Sequence, residues 1–290
     1  MRISLLGPLE VMGPRGPVTV TARRQQIVLA IILWNANRVV PMDLLIDALW
    51  GQDPPATARS QVHTSVSGIR KRLARGGLHE LVSTWPPGYR SWVREGELDL
   101  HEFDRHVTTA RGYVAAGRGE DAARSFTDAL RLWRGEPFAG IHSERVSAIA
   151  AQLADRRVSV FEELVETQLR LGRGGSMIGE LTASVAEHPY RELLRAHLMT
   201  ALCQAGRQVE ALREYRHLRA LFARELGLEP SPRLRLLEQE ILTDGTAAAH
   251  PSLIVVPRQR GRSTVGPQPG VWSSLGCTAA PEWRMSPTAP

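Results

Sequence analysis

Residues 57–73 read TARSQVHTSVSGIRKRL, and the spacing of the apolar side chains in this stretch decides the fold of the first third of the chain. Four apolar residues recur at i, i+4, i+7 and i+11: Val62, Val66, Ile69 and Leu73. This spacing is typical of one face of an α-helix. Thr57 precedes the run and has a side chain suited to an N-cap. The stretch therefore predicts a helix from Thr57 to Leu73 with a buried apolar face.

The opposite face of this predicted helix is polar and basic. It carries three hydroxyl groups and an ammonium group: Ser60, Thr64, Ser67 and Lys71. Arg59, His63 and Arg70 flank that face, and Arg72 follows near its C-terminal end. Short hydroxyl side chains allow close approach to base edges, while the cations can reach phosphates or guanine. The pattern indicates a helix for the major groove of double-stranded DNA, although an ordinary amphipathic surface helix also has a polar outer face.

The segments around this helix predict a winged helix-turn-helix. Periodicity and turn residues give these elements in addition to the helix at 57–73: strands Arg2–Leu6 and Val18–Val20, helices Arg23–Asn35 and 42–51, and strands Leu81–Thr84 and Tyr89–Val93. Two alternating strands directly after a basic third helix are typical of the wing. In that fold Arg90 lies beside the sugar-phosphate backbone or in a minor groove.

Short motifs in this region resemble the OmpR-type winged helix, and more narrowly its version in the Streptomyces antibiotic regulatory protein (SARP) family. They are Arg24-Gln25-Gln26, the segments 47–51 and 54–59, Val66-Ser67-x-Ile69-Arg70-Lys71-x-Leu73, and Pro87-Gly88-Tyr89-Arg90. Gly68 departs from the family, which usually has an arginine there, and glycine costs about 1 kcal/mol in a helix interior. We expect the DNA-binding residues to be Arg24, Arg59, Ser60, His63, Thr64, Ser67, Arg70, Lys71, Arg72 and Arg90.

Residues 99–242 predict a second, all-α domain. Three short segments lie between helix-like stretches: Ala116-Gly117-Arg118, Leu171-Gly172-Arg173 and Ala205-Gly206-Arg207. The second and third glycines are 34 residues apart, which is the period of a tetratricopeptide helix pair, whereas the first and second are 55 apart. An irregular helical repeat with a concave surface for partners is favoured. A plain helical bundle is the alternative.

This second region resembles the bacterial transcriptional activation domain of the same family. The matching motifs are Asp99-Leu100-His101-x-Phe103, Leu132-Trp133-Arg134-Gly135-Glu136-Pro137, His188-Pro189-Tyr190-Arg191-Glu192, and the segments 205–215 and 225–234. The combined resemblance covers about residues 1–242. No nucleotide-binding motif follows, so the chain resembles the small form of the family, without an ATPase module.

Charge is distributed unevenly along the chain. Residues 1–98 carry 12 basic and 7 acidic side chains, whereas residues 99–242 carry 20 and 21. A basic domain beside a nearly neutral one favours a polyanion-binding module joined to another function. Residues 243–290 contain seven of the nineteen prolines and predict a mostly disordered tail, in which Trp272 and Trp283 are unusual.

Other features narrow the compartment and the chemistry. The longest apolar run, residues 27–34, is too short for a transmembrane helix, and the N-terminus has no signal peptide. Cys203 and Cys277 cannot form a disulfide framework, which favours the cytoplasm. Phosphate-loop, nucleophile-elbow and metal-ligand patterns are absent from the sequence. We therefore expect no enzyme, no cofactor and no metal site.

The predicted fold is mainly α, with an α+β winged helix-turn-helix at 1–98, a tetratricopeptide-like helical domain at 99–242 and a tail at 243–290. The family resemblance implies a transcriptional activator of secondary-metabolite genes, such as those for antibiotics. Such a protein binds direct repeats about one helical turn apart and recruits RNA polymerase holoenzyme, with a homodimer as one form on DNA. It would be cytoplasmic and associated with the nucleoid. The alternative is a helical-repeat adaptor whose winged helix binds protein instead of DNA.

Overall fold

The computed structural model describes residues 1–243. The predictions for the tail, including Trp272 and Trp283, lie outside the described residues. Within residues 1–243 no helix is both long and apolar enough to cross a membrane.

The chain begins with a small antiparallel sheet of three short strands: β1 (Arg2–Ser4), β2 (Glu10–Gly13) and β3 (Gly16–Pro17), in the order β1-β2-β3. The prediction of a strand at Val18–Val20 is wrong. Pairing with β2 ends at Pro17, and only the N–H of Val18 continues it, by donating to the carbonyl of Val11 at 2.8 Å. Strand β2 was not predicted, because four residues between two turn signals carry almost no periodicity.

The next elements form the winged helix. They are α1 (Arg23–Trp34), β4 (Val39–Pro41), α2 (Met42–Trp50), α3 (Ala58–Arg75), β5 (Val82–Trp85) and β6 (Gly88–Ser91). The three strands pair antiparallel in the order β4-β6-β5. The predicted order of helices and hairpin is confirmed, with strand ends shifted by one or two residues. Strand β4 is an addition that attaches the wing to the start of α2.

Helix α1 is the centre of the winged-helix core. The longest apolar run of the sequence, residues 27–34, lies in this helix, and all seven residues from Ile27 to Leu33 are buried. A helix that is apolar on every side needs partners all round. Helices α2 and α3, strand β6 and a helix of the following region, α6 (Glu144–Arg170), supply those partners.

The remaining described chain is helical. Its helices are α4 (Asp99–Ala115), α5 (Gly119–Arg131), α6 (Glu144–Arg170), α7 (Ile178–Glu187), α8 (Glu192–Gln204), α9 (Gln208–Glu225) and α10 (Pro232–Thr243). A short 3₁₀ turn, Gly174–Met177, precedes α7. Neighbouring helices pack on one another in sequence: α4 on α5, α5 on α6, and α7 and α9 on α8.

The three predicted glycine turns share one geometry. Gly117, Gly172 and Gly206 end their helices with φ values of 71°, 72° and 73°. In each case the N–H of the following arginine donates to the carbonyl five residues back, for example from Arg118 to Tyr113 at 2.9 Å. This is the helix-ending bond of the Schellman motif, which favours glycine because the backbone is left-handed there. The three similar glycine segments in the sequence therefore mark three helix C-termini of the same kind.

The winged helix and the helical region are joined on the side away from the polar face of α3. The carboxylate of Asp99 accepts hydrogen bonds from the N–H groups of Leu5 and Leu6, at 2.8 to 3.0 Å. The hydroxyl of Ser143, just before α6, donates to the carbonyl of Ala48 in α2 at 2.7 Å. Because these contacts use β1, α1 and α2, the outer face of α3 stays exposed.

Candidate nucleic-acid interface

Helix α3 presents one polar face to solvent. The exposed side chains on this face are Arg59, Ser60, His63, Thr64, Ser67, Lys71 and Arg75. The opposite side is buried, with Val62, Val66, Ile69 and Leu73 each at most 1% exposed. Helix α3 contains five cations and no acidic residue in its 18 residues. We call the exposed set the α3 face; six of its seven members were among the predicted site residues, and Arg75 was not.

The hydroxyl groups of the α3 face donate to nearby backbone. Ser60 Oγ donates to the carbonyl of Thr57 at 2.8 Å, and Thr64 Oγ1 donates to the carbonyl of Ser60 at 3.0 Å. Each of these exposed hydroxyl oxygens can still accept a hydrogen bond. Thr57 occupies the N-cap position of α3, as predicted, but its side chain forms no capping bond, and its hydroxyl oxygen accepts from the side chain of Gln61 at 2.8 Å.

Arg70 is held by the wing. Its Nε donates to the carbonyl of Val82 at 2.9 Å, and its Nη2 donates to Thr84 Oγ1 at 2.8 Å. The guanidinium also lies 5.6 Å from the ring centroid of Tyr89. Arg70 was expected to reach DNA, but in this conformation it fixes the position of the wing relative to α3.

A second contact between α3 and the wing lies beside it. His63 Nδ1 and the hydroxyl of Tyr89 share a hydrogen bond of 2.6 Å. Burial raises the pKa of Tyr89, and the positive charge of Arg70 opposes this shift. The phenol is therefore neutral at physiological pH. Together with Arg70, this bond makes the wing and α3 one rigid unit.

The remaining predicted arginines also have partners inside the protein. Arg72 Nε donates to Gln25 Oε1 at 3.1 Å, away from the α3 face. Arg24 donates to Gln61 and lies 5.5 Å from the ring centroid of Trp50. Arg59 pairs with Asp43 at 2.9 Å, but both side chains are more than two-thirds exposed, at 68% and 81%. Such an exposed pair is weak and easily exchanged for a phosphate.

Lys71 differs from these arginines. It is exposed near the C-terminal end of the α3 face, and no residue within 1–243 forms a hydrogen bond or ion pair with its side chain. Its ammonium group can therefore bind an anion without breaking an internal contact.

Arg90 lies on the wing between two aromatic rings. Its guanidinium is 5.5 Å from the ring centroid of Trp85 and 5.0 Å from that of Trp92. The sequence analysis singled out Arg90 but missed both tryptophans. The alternation of the hairpin could have placed Trp92 on the face of Arg90, but the one-residue shift of the predicted strand left Trp85 in the turn.

The described residues show no sign of metal chemistry. Within residues 1–243, no group of three or more histidine, cysteine, aspartate or glutamate side chains is arranged to hold a metal ion. The site is an exposed surface of hydroxyls and cations, which can bind a polyanion.

Comparison with known proteins gives the family. Residues 98–242 match the family described as bacterial transcriptional activator domain, and residues 16–91 match the one described as transcriptional regulatory protein, C terminal. Regulatory protein DnrI of Streptomyces peucetius is 35% identical over 250 residues, which cover 83% of this chain and 92% of DnrI. The chain belongs to the SARP family of transcriptional regulators. The predicted resemblance is thereby confirmed.

Other SARP-family relatives are longer. Transcriptional regulatory protein EmbR of Mycobacterium tuberculosis is 38% identical over 241 residues, covering 82% of this chain and 62% of EmbR. Regulatory protein AfsR of Streptomyces coelicolor is 36% identical over 250 residues, covering 86% of this chain and 25% of AfsR. The chain thus spans less than two-thirds of the length of these two relatives.

A solved structure supports the predicted fold. Mycobacterium tuberculosis EmbR in complex with a low-affinity phosphopeptide matches with a TM-score of 0.78 and 37% identity, over 83% of this chain and 65% of that one. The fold class, a winged helix followed by a helical domain, is confirmed. The family and these relatives are transcriptional regulators, so the prediction that the SARP-family chain is not an enzyme is also confirmed.

Proposed function

We propose that this SARP-family regulator is a sequence-specific DNA-binding activator, with residues 1–98 as the DNA-binding domain. The observation that supports the proposal is the α3 face, which is exposed, basic and free of carboxylates. A helix of this kind fits the major groove, where hydroxyls and cations can meet base edges and phosphates.

The site residues have different roles in this proposal. Four residues lie nearest the bases and the DNA backbone: the hydroxyl residues Ser60, Thr64 and Ser67, and Lys71. Arg59 and His63 flank them, and Arg24 and Arg90 contact phosphates. Arg70 and Arg72 act through the protein by holding the wing and the start of α1 against α3.

The helical domain at 99–242 supplies the activating contact in this proposal. The regulator binds promoter direct repeats as a pair of copies and recruits RNA polymerase holoenzyme, at promoters of secondary-metabolite genes. The S. peucetius relative, DnrI, is a regulatory protein, which supports regulation as the shared role. In this proposal the protein works at the nucleoid in the cytoplasm.

The test is selection of DNA by the full chain from a pool of random-sequence duplexes. We expect enrichment of two direct repeats spaced by about one helical turn, roughly 10–10.5 bp. Binding of the enriched duplex should weaken as salt rises, with log Kd changing by about 0.9 per log unit of salt for each phosphate contacted. If no duplex is enriched, DNA binding is excluded and the adaptor function takes its place.

A further inference from the structure

The wing has two faces with different surroundings. On the inner face, Tyr89 and Ser91 are buried and pack toward the helices. Alternation places Arg90 on the outer face of β6, and Trp92, the residue after the end of β6, follows on the same side two residues later. On β5, Ser83 is opposite Arg90 and Trp85 is two residues further, which makes Trp85 a diagonal neighbour of Arg90. Three side chains thus form one cluster on the outer face, which we call the wing cluster: Trp85, Arg90 and Trp92.

The two tryptophans of the wing cluster are exposed despite their size. Trp85 is 53% exposed and Trp92 is 58% exposed, whereas Trp133 in the helical region is 9% exposed. Burying a tryptophan is favourable, so two tryptophans exposed on a three-stranded sheet indicate a role for their rings on the surface. Both rings lie against the guanidinium of Arg90.

Arg90 is a cation without an anion. Its side chain forms no hydrogen bond or ion pair within residues 1–243, and its Nε is buried without a partner. Its contacts are the two indole rings, with the guanidinium carbon 5.5 and 5.0 Å from their centroids. Rings on two sides restrict the rotamers of a long side chain while leaving its charge uncompensated. The cluster is therefore built to present a positive charge in a fixed place.

Contacts between the wing and α3 fix the position of Arg90 relative to the α3 face. Arg70 bonds the backbone and side chain of β5, and His63 bonds Tyr89 of β6, so these contacts hold the wing against α3. Trp85 pairs with Gly88 at the last position before the hairpin turn. A duplex seated on the α3 face would have its flanking backbone beside this turn.

We infer that Trp85 and Trp92 are positioning residues that hold Arg90 against a phosphate flanking the major-groove site. The inference rests on the proposed function, and it assigns the surface to DNA. Favouring DNA are the net positive charge of residues 1–98, with 12 basic and 7 acidic side chains, and the rigid connection to the carboxylate-free α3 face. An acidic protein segment could use the same chemistry, and the test separates the two.

The experiment uses the full chain and the duplex enriched by the wild type, labelled for fluorescence anisotropy at several salt concentrations. We expect Trp85→Ala/Trp92→Ala to raise Kd roughly tenfold, the effect of losing one charge-assisted contact. The slope of log Kd against log salt should fall by about 0.9. Arg90→Ala should do the same, and combining all three substitutions should cost no more than Arg90→Ala alone.

Two controls make the result specific. Trp85→Phe/Trp92→Phe keeps a ring on each side of Arg90 and should retain most of the affinity and the wild-type salt slope. Met12→Ala removes an exposed apolar side chain from the N-terminal sheet and should change neither. If the double alanine variant unfolds at a lower temperature, each single alanine variant is compared with Arg90→Ala in the same way.

The outcomes separate this inference from the proposed function. An enriched duplex that Trp85→Ala/Trp92→Ala binds as tightly as the wild type overturns the inference alone and points to a protein partner for the wing cluster. Losses that add to that of Arg90→Ala overturn it too, because the rings would then act by themselves. Failure of the wild type to enrich any duplex overturns the proposed function together with the inference.

Discussion

Lys71 and Arg70 are neighbours in sequence, yet their side chains have opposite surroundings. Arg70 is bonded to Val82 and Thr84, while Lys71 has no partner within residues 1–243. Their roles must therefore be tested in different ways. Removing Arg70 disturbs the wing, whereas removing Lys71 changes only the charge of the α3 face.

Lys71→Ala should weaken binding to the enriched duplex by about 1.5 kcal/mol, or roughly tenfold, because one charge-assisted contact is lost. The salt slope should fall by about 0.9, and the free energy of unfolding should stay within about 0.5 kcal/mol of the wild type. Anisotropy titrations and urea unfolding measure these quantities. The control is Arg213→Ala, an exposed cation on α9. Unchanged affinity and slope in Lys71→Ala would remove this residue from the interface.

His197 is a buried histidine in the helical region. It is 1% exposed, and neither ring nitrogen has a hydrogen-bond partner within residues 1–243. Burial, with a smaller contribution from the positive charge of Arg233, lowers the pKa of His197 from 6.5 to about 4. The folded protein therefore holds this imidazole neutral at pH values where the unfolded chain protonates it.

Stability should consequently fall as the pH drops from 6.5 towards 4. In that window the unfolded state binds the proton and the folded state does not, which costs about 2 kcal/mol at pH 5 and about 3 kcal/mol below pH 4. His197→Leu removes the titrating group and should abolish this part of the pH dependence. Urea unfolding at pH 7.5 and 5 measures it, with the exposed His79→Gln as control. Equal acid sensitivity in His197→Leu and the wild type would contradict the assignment.

At the scale of elements, the wing depends on a close approach between two strands. Gly88 pairs with Pro41, and a Cβ at Gly88 would lie 1.9 Å from the carbonyl oxygen of Val40. A backbone atom cannot move aside without opening the pairing of β4 and β6. Only glycine therefore fits where the wing is attached to the start of α2.

Gly88→Ala should destabilise the protein by more than about 2 kcal/mol, since the added methyl group overpacks against backbone. The matched control is Gly112→Ala in α4, where a Cβ meets nothing within 4 Å and the helix gains about 1 kcal/mol. Urea unfolding of both variants gives the comparison. A Gly88→Ala variant as stable as Gly112→Ala would show that β4 and β6 are not paired as described.

Periodicity predicted the elements that have enough residues to show it. The apolar positions of α3 and the three helix-ending glycines were read correctly because each rests on contacts within a few residues along the chain. Strands β2, β3 and β4 have two to four residues and are fixed by pairing partners elsewhere, so the sequence carried little signal for them.

In the candidate site too, local features could be predicted from the sequence, whereas features that depend on distant contacts could not. Exposure on α3 follows from helical geometry, and six members of the α3 face were predicted. The binding of Arg70 to the wing and the two rings around Arg90 depend on where the hairpin lies in three dimensions. Local pattern contains no information about the partners of Arg70, which is why Arg70 was expected on DNA. Alternation could have found Trp92, but the predicted strand was shifted by one residue and left Trp85 in the turn.

At the scale of the whole molecule, the helical region lies behind the winged helix. Helix α6 contacts α1 and α2, and Arg23 donates to the carbonyl of His142 at 3.0 Å. None of the described contacts covers the α3 face. A duplex can therefore reach that face without any separation of the two regions, and the helical surface stays available to a second partner at the same time.

Asp99 offers a way to test whether the α3 face is independent of the contacts between the winged helix and the helical region. It is the first residue of α4, and its carboxylate accepts from the N–H groups of Leu5 and Leu6, whose side chains are fully buried. Burial raises the pKa of Asp99, and these N–H bonds oppose the shift. The N-terminal sheet is thus attached to the helical region through Asp99 and also through Arg134, whose guanidinium pairs with Glu10 of β2 at 2.7 Å.

Asp99→Ala leaves these two N–H groups without an acceptor and should lower the free energy of unfolding by about 2–4 kcal/mol. Amide hydrogen exchange should quicken first in β1 and β2, while α3 keeps its protection and the affinity for the enriched duplex is unchanged well below the unfolding temperature. Asp99→Asn retains an oxygen acceptor and should lose less stability. If Asp99→Ala weakened DNA binding without loosening the N-terminal sheet, the α3 face and the interface behind it would have to be coupled, and the open arrangement described above would not be the state that binds DNA.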